Sequence, residues 1–295
     1  MNKRIGGLLH HAKQRLEAAD CTDTPGLDAE VLLAHVLDRS RAYLVSHPEV
    51  RLENSQLVDF ERFMIRRGKG EPVAYITGRK EFWSMTLEVN PSVLIPRPDT
   101  ELLVQSCLEH CESHSHQIAD LGTGSGAVAL ALASELPRCL IVATDRSREA
   151  VLTARLNASS LGLGNVSVRH SDWFEALGEE RFDLIVANPP YIDPQDKHLS
   201  GEVRFEPRDA LVAGNHGLAD LTSIISRAPG YLVAGGWLLV EHGFEQGRLV
   251  RELFSDAGFH NVGTFQDLGG NDRVTEGKCG YFNRTKTPDL VLGSK

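Results

Sequence analysis

Phe182-Asp183-Leu184-Ile185-Val186-Ala187-Asn188-Pro189-Pro190-Tyr191 is an apolar run, rich in β-branched residues, that stops at Asn-Pro-Pro. Such a run bounded by prolines reads as a buried strand ending at Asn188. Pro189 and Pro190 fix their own φ and have no N–H, so the backbone beyond the strand is stiff and offers carbonyl acceptors without donors. Asn188 adds a side-chain carbonyl oxygen and Tyr191 an aromatic wall. Two acceptors converging beside a flat ring suit a planar –NH2 group, either the amide of Gln or Asn or the exocyclic amine of a base. Proline also ends strands that carry no site, so the flanking sequence decides.

Upstream, Gln117-Ile118-Ala119-Asp120-Leu121 reads as a strand, Gly122-Thr123-Gly124-Ser125-Gly126 as a glycine-rich turn, and Ala127-Val128-Ala129-Leu130-Ala131-Leu132 as the start of a helix. Glycines there let the backbone pass close to a ligand, and the helix presents its N–H groups to it. A second strand, Leu140-Ile141-Val142-Ala143-Thr144, closes on Asp145 about 20 residues past the glycines, where an acid is placed to accept from ribose hydroxyls. Val166-Ser167-Val168 is a third strand, followed by Ser171-Asp172-Trp173-Phe174, a carboxylate and an indole suited to bonding and stacking on an adenine. A fifth strand is expected at 236–243, and a final pair at 260–265 and 278–282 around a Gly-rich turn at 267–272. The long polar segment 192–211 is expected to act as a lid. Strands alternating with helices make an α/β fold with an open, largely parallel sheet, whose ligands lie beyond the carboxyl ends of the strands.

The first 75 residues have helical spacing instead, with helices expected over 5–18, 27–37 and 55–67. The last ends in Arg66-Arg67-Gly68-Lys69-Gly70; the bundle is either a structural cap or a hold on a macromolecular partner, and this basic cluster with Arg62 either a solvated helix end or part of that hold. Tyr75-Ile76-Thr77-Gly78 and Phe82-Trp83-Ser84-Met85-Thr86-Leu87-Glu88-Val89 read as a β-hairpin connector. The stiff turn Leu94-Ile95-Pro96-Arg97-Pro98-Asp99-Thr100-Glu101 then caps a helix, and Arg97 and Glu101 are expected to help close a pocket. The domains are therefore expected at 1–74 (helical, substrate-recognising), 75–93 (hairpin linker) and 94–295 (catalytic). The tail 283–295 has no periodicity.

Cys107, His110, Cys111 and His114 share one helix face and have the residue types of a zinc site. Side chains on one side of a rod do not surround an ion, so no metal is expected. The five cysteines are too scattered for a disulfide framework. No apolar run approaches the roughly 20 residues that span a bilayer, and the expectation is a cytoplasmic, unprocessed protein. Net charge is −9. Residues 1–80 carry 13 Lys and Arg against 11 Asp and Glu, leaving −11 on the remainder. That balance weighs against a protein built to grip phosphates.

Asp120-Leu121-Gly122-Thr123-Gly124-Ser125-Gly126 resembles the S-adenosylmethionine loop of class I methyltransferases, and Asn188-Pro189-Pro190-Tyr191 their amino-methylating signature. Together with Ile95-Pro96-Arg97-Pro98-Asp99-Thr100-Glu101, Ser171-Asp172-Trp173-Phe174 and Arg204-Phe205-Glu206-Pro207, the chain is similar over nearly its whole length to bacterial release factor glutamine methyltransferases of the PrmC/HemK type. The resemblance implies a Rossmann-like class I methyltransferase domain behind the helical bundle and hairpin. It implies N5-methylation of the glutamine in the Gly-Gly-Gln motif of class I peptide chain release factors, with S-adenosyl-L-methionine as cofactor and S-adenosyl-L-homocysteine as product. It places Gly122, Thr123, Gly124, Ser125 and Gly126 near the methionine part, Asp145 at the ribose, and Asp172 and Trp173 at the adenine. Asn188, Pro189, Pro190 and Tyr191 would hold the substrate amide, with Asn188 also at the cofactor and Asn188, Pro189 and Tyr191 the catalytic residues. A monomer forming a 1:1 complex with its substrate is expected, with no direct nucleic-acid or membrane partner.

Two other readings use the same residues. An adenine-N6 or guanine-N2 methyltransferase needs the same –NH2 geometry after base flipping, but would usually carry a basic, aromatic-laced surface. A translation-factor adaptor that binds the cofactor without turnover has no need of the Asn-Pro-Pro-Tyr turn.

Overall fold

The run 182–187 is the central, fourth strand in space of a seven-stranded sheet, and its burial explains its composition. In the computed structural model, which describes residues 3–111 and 116–280, β6 (Phe182–Ala187) has five of its six side chains buried. Strands covered on both faces read as continuous Val/Ile/Leu runs. β6 lies parallel between β3 (Gln117–Leu121) and β7 (Leu232–Glu241). β4 (Leu140–Asp145) and β5 (Val166–His170) extend the parallel part on the far side of β3. The other edge is antiparallel, β9 (Asp272–Cys279) on β7 and β8 (Phe259–Gln266) on β9, giving the order β5-β4-β3-β6-β7-β9-β8. The chain leaves β3 first to one side and later to the other, so a switch point opens between β3 and β6, where open α/β sheets bind ligands.

Helices cover both faces. α6 (Thr100–Glu109), α7 (Ala127–Glu135) and α8 (Arg148–Ser160) share one side, and α10 (Ala219–Arg227) and α11 (Gly247–Asp256) the other. Between the two groups, α9 (Gly214–Gly217) is a single turn interrupted by left-handed Asn215 and His216. Residues 127–133 of α7 are all buried, as expected for a helix apolar all round.

Ahead of the sheet, α1 (Ile5–Ala19), α2 (Pro25–Leu37), α3 (Arg41–Ser46), α4 (Asn54–Arg67) and α5 (Val73–Thr77) enclose their own core around Ile5, Leu32, Leu33, Phe60 and Met64. Two details differ from the sequence reading. α3 had no counterpart there, and Tyr75-Ile76-Thr77 is a helical turn rather than a strand. Gly78, left-handed at φ 72°, stops that turn. The hairpin is shorter, β1 (Arg79–Phe82) and β2 (Met85–Glu88). Its two-residue turn places Trp83 and Ser84 at φ 51° and 58°, the left-handed pair of a type I′ turn that Asn-Gly usually fills. Glu101 Oε1 accepts the Trp83 backbone N–H at 3.2 Å and Glu135 Oε1 its indole N–H at 2.8 Å, which holds this costly turn in place.

Strands β8 and β9 replace the expected pair at 260–265 and 278–282, with β9 beginning six residues earlier; residues 281 and 282 and the tail 283–295 lie outside the described residues. Among the described residues no helix is long and apolar enough to cross a membrane.

Candidate active site

Every segment singled out around the Asn-Pro-Pro turn emerges from the carboxyl end of a strand, and most of them border one cavity of about 730 Å³. Gly122 and Gly124, which follow β3, line it with Asp145 at the end of β4, Asp172 and Trp173 beyond β5, and Asn188 and Pro190 beyond β6. Thr123, Ser125 and Gly126 do not line it. Thr123 and Ser125 are buried behind the loop, and Gly126 forms the N-terminal boundary of α7. Pro189 is buried, and Tyr191 is half-buried against the core beneath the sheet ends.

The glycine loop is tied down by its neighbours. The N–H groups of Gly122 and Thr123 both donate to the Thr144 carbonyl, at 2.8 and 2.9 Å. Thr123 Oγ1 and the Ala129 N–H donate to Asp120 Oδ2 at 2.6 and 3.2 Å. Burial pushes the Asp120 carboxyl up to about 7, against those two hydrogen bonds. Gly122 has φ 75°, and a Cβ there would stand 3.0 Å from the Trp173 ring. Only glycine lets backbone and indole approach so closely.

Asp145 accepts the Gly124 N–H on Oδ2 at 2.9 Å and the Ser147 N–H on Oδ1 at 2.8 Å. Burial pushes its carboxyl up, while the two N–H donors hold it down. A carboxylate has about four acceptor positions, so Asp145 keeps capacity for hydroxyls of a ligand while bracing the loop. Trp173 is itself left-handed, at φ 47°, with its carbonyl accepting from Ser171 Oγ and Thr144 Oγ1 at 3.1 and 3.3 Å. Asp172 is exposed at the rim.

At the Asn-Pro-Pro turn, Asn188 Nδ2 donates to Thr100 Oγ1 at 3.2 Å. The amide oxygen Oδ1 is therefore the atom left to accept a guest's N–H. Tyr191 O–H donates to Glu241 Oε1 at 3.2 Å, and its carbonyl accepts from Gln246 Nε2 at 3.0 Å. Burial of Glu241 pushes its carboxyl up and burial of Tyr191 pushes its phenol up. From the sequence Thr100 is expected at most to cap a helix, and Glu241 has no role beyond its strand. They stand 88 residues before Asn188 and 50 after Tyr191, too far for spacing to show that they meet the turn.

Three other expectations change. Arg97 and Glu101 do not border the cavity: Arg97 pairs with the buried Glu206, and Glu101 holds the hairpin turn. The segment 192–211 contains short 3-10 turns, Lys197–Leu199, Gly201–Phe205 and Arg208–Ala210. Pro207, Asp209 and Ala210 of this segment line the cavity, as a lid would, and its base is anchored: Glu206 Oε2 accepts the Ile95 N–H at 3.0 Å and Arg204 donates to the Lys69 carbonyl at 2.7 Å. The cluster Arg62, Arg66, Arg67 and Lys69 is not one basic surface. Arg67 is buried between Asp28, at 2.7 Å, and Glu202, while Arg66 pairs with Glu71 and Arg62 with Asp59. Of the Cys/His face, Cys107 and Cys111 are buried thiols pushed up by burial, Cys111 to about 12. His110 turns to Glu276 at 2.6 Å and stacks on Trp237, and His114 lies outside the described residues. Among the described residues no group of side chains could hold a metal ion.

The family model described as "PrmC N-terminal domain" matches residues 7–78, and the "Methyltransferase small domain" model matches residues 98–205. The chain is 48% identical over 280 residues to a release factor glutamine methyltransferase of Aliivibrio fischeri, covering 94% of this chain and 98% of that one. It is 50% identical over 275 residues to one from Salmonella typhimurium, covering 93% and 97%. Among solved structures, a methyltransferase from Pyrococcus furiosus superposes with a TM-score of 0.52 at 17% identity, covering 75% of this chain and all of that one. That likeness is one of fold.

Proposed function

The chain belongs to the release factor glutamine methyltransferase family, and from that membership we propose that it methylates N5 of the glutamine in the Gly-Gly-Gln motif of class I peptide chain release factors. The observation that carries the reading is the anchoring of Asn188. With Nδ2 committed to Thr100, Oδ1 and the carbonyls of a donor-free Pro-Pro turn accept the two N–H groups of a primary amide.

S-adenosyl-L-methionine is the cofactor in this reading: bound here it would supply an electrophilic sulfonium methyl, with S-adenosyl-L-homocysteine as product and one amide proton passing to water or a carbonyl. The residues present fit it. Gly122 and Gly124 offer backbone with no side chain in the way, Asp145 has acceptor capacity for ribose hydroxyls, and Trp173 with Asp172 provides a stacking face and an acceptor for adenine. Thr123, Ser125 and Gly126 support the loop from behind.

An amide nitrogen is a poor nucleophile because its lone pair is delocalised into the carbonyl. Asn188 Oδ1 and the Pro189 carbonyl hold both hydrogens in the amide plane, which turns the face of the nitrogen toward the methyl donor. Tyr191 confines the planar group from one side. Positioning of this kind supplies several kcal/mol of the barrier. The helical part at 1–74, joined through 75–93 to the catalytic part at 94–295, holds the release factor away from its reacting loop. The enzyme acts in the cytoplasm as a monomer that forms a 1:1 complex with its substrate. In a labelled-methyl assay, an intact class I release factor is expected to take up label. A variant with the Gly-Gly-Gln glutamine replaced by alanine should take up none, and equal labelling of both would overturn the reading.

A further inference from the structure

Ala187, Val240, Thr275 and Thr264 form one row across β6, β7, β9 and β8. The loop after β7, residues 242–246, and the turn that joins β8 to β9, residues 267–271, therefore open on the same edge of the sheet as the Asn-Pro-Pro turn. The cavity that suits the cofactor takes in the ends of β3, β4 and β5 and reaches Asn188, and no residue of these two loops lines it. A glutamine side chain is short, so the backbone that carries it to Asn188 must cross the sheet edge close to that residue. With the cofactor over β3 to β5, the edge left beside Asn188 is that of β7 and β9.

Both loops there are braced, and each holds out an apolar side chain. Gln246 Oε1 accepts the Gly243 N–H at 2.9 Å while its Nε2 donates to the Tyr191 carbonyl at 3.0 Å, so the loop that carries Phe244 is tied to the Asn-Pro-Pro-Tyr turn itself. In the hairpin, Asp267 Oδ1 accepts the N–H groups of Gly269 and Asn271 at 2.8 and 3.0 Å. Arg273 joins Asp267, at 3.2 Å, to Asp99, at 3.3 Å, the neighbour of the Thr100 that holds Asn188. Leu268 is fully exposed on that turn, and Phe244 is 54% exposed. Scattered exposed apolar residues are ordinary. Among the described residues beyond 94, however, the other large ones, Leu140, Leu152, Leu156 and Leu249, lie at the amino end of β4 or on helices. Neither loop contains a Lys or Arg, so this edge suits an apolar peptide and not a phosphate backbone. A side chain already held by a rigid turn also loses little freedom on burial. Resting on the release factor reading above, we propose that Phe244 and Leu268 form an apolar docking rim for the release factor polypeptide that flanks the target glutamine.

The test measures binding of a purified class I release factor to the full chain by calorimetry, with S-adenosyl-L-homocysteine present, alongside steady-state methyl transfer. Phe244→Ser and Leu268→Ser are each expected to raise the release factor Kd and KM about tenfold, the scale of one large apolar side chain left unburied. Their kcat and cofactor Kd should stay unchanged, as for binding shared by ground and transition states. Leu268→Met, which keeps the apolar area, should retain affinity. Leu152→Ser, comparably exposed but on α8, should bind like wild type. Because these side chains are exposed, circular dichroism should find all the variants as stable as wild type. Wild-type affinity in both loop variants, or an equal loss in Leu152→Ser, would contradict the docking rim. So would a wild-type dimer in sedimentation that Leu268→Ser dissociates while release factor binding is unchanged, since a second copy would then be the occupant. A wild type that binds the release factor through these residues without methylating it would refute the substrate reading and leave the rim standing; one that neither binds nor methylates it would overturn both.

Discussion

Asp120, next to last in β3, has its carboxyl buried and two donors, Thr123 Oγ1 of the loop and the Ala129 N–H of α7, on one oxygen. Burial raises it from 3.8 to about 7 in the folded chain, whereas the unfolded chain keeps the ordinary value. Between about pH 4 and 7 the unfolded state has released this proton and the folded state retains it, so stability falls as pH rises through that window. Asp120→Asn cannot ionise and lacks this dependence. Its melting temperature relative to wild type is expected to rise from pH 4 to 7 and level off above; parallel curves measured by circular dichroism would contradict the assignment. Asn188 and Asp145 divide differently. Asn188→Ala should lower transfer by about 100-fold or more, as lost positioning does, while calorimetry finds cofactor affinity near normal. Asp145→Ala should mainly weaken cofactor binding, since it removes an acceptor and frees the Gly124 N–H. Equal loss of cofactor affinity in both would count against this division.

At the scale of elements, the basic end of α4 is part of the core that joins the helical bundle to the segment after Tyr191. Arg67 is buried, with Asp28 beside it at 2.7 Å and Glu202 on its other side. Removing one partner of a buried pair leaves a charge without compensation, at a cost of about 3–5 kcal/mol. Arg67→Ala should lose about that much in urea denaturation, whereas Arg62→Ala, an exposed i,i+3 pair, should lose less than about 1 kcal/mol. Equal losses would show that Arg67 is a surface charge after all. The sequence could not reveal this burial, because Asp28 is 39 residues away and Glu202 is 135. α5 was misread for a related reason. Tyr75-Ile76-Thr77 has strand propensity, but Tyr75 O–H is bonded to the Val93 carbonyl at 2.6 Å and Ile76 fills the bundle core. Tertiary packing overrides so short a preference. Lone helices such as α3, six residues long, carry too little periodicity to be seen.

For the molecule as a whole, the parallel core was legible because each of its strands is a short apolar run and each ends at a residue with visible chemistry: Gly122 after β3, Asp145 on β4, Asp172 after β5, Asn188 after β6. The fold rule that gathers strand ends turned those separate signals into one cavity. What stayed hidden is the layer behind it, Thr100 and Glu241 beneath the turn and Asp120 beneath the loop, whose partners are set by packing rather than by spacing. On the proposed reading this cavity presents acceptors to a glutamine amide. Mass spectrometry of a purified class I release factor, incubated with the enzyme and S-adenosylmethionine, tests it most directly. One added methyl on the glutamine of the Gly-Gly-Gln peptide is the predicted result; a cofactor-bound enzyme that leaves that peptide unmodified would contradict it.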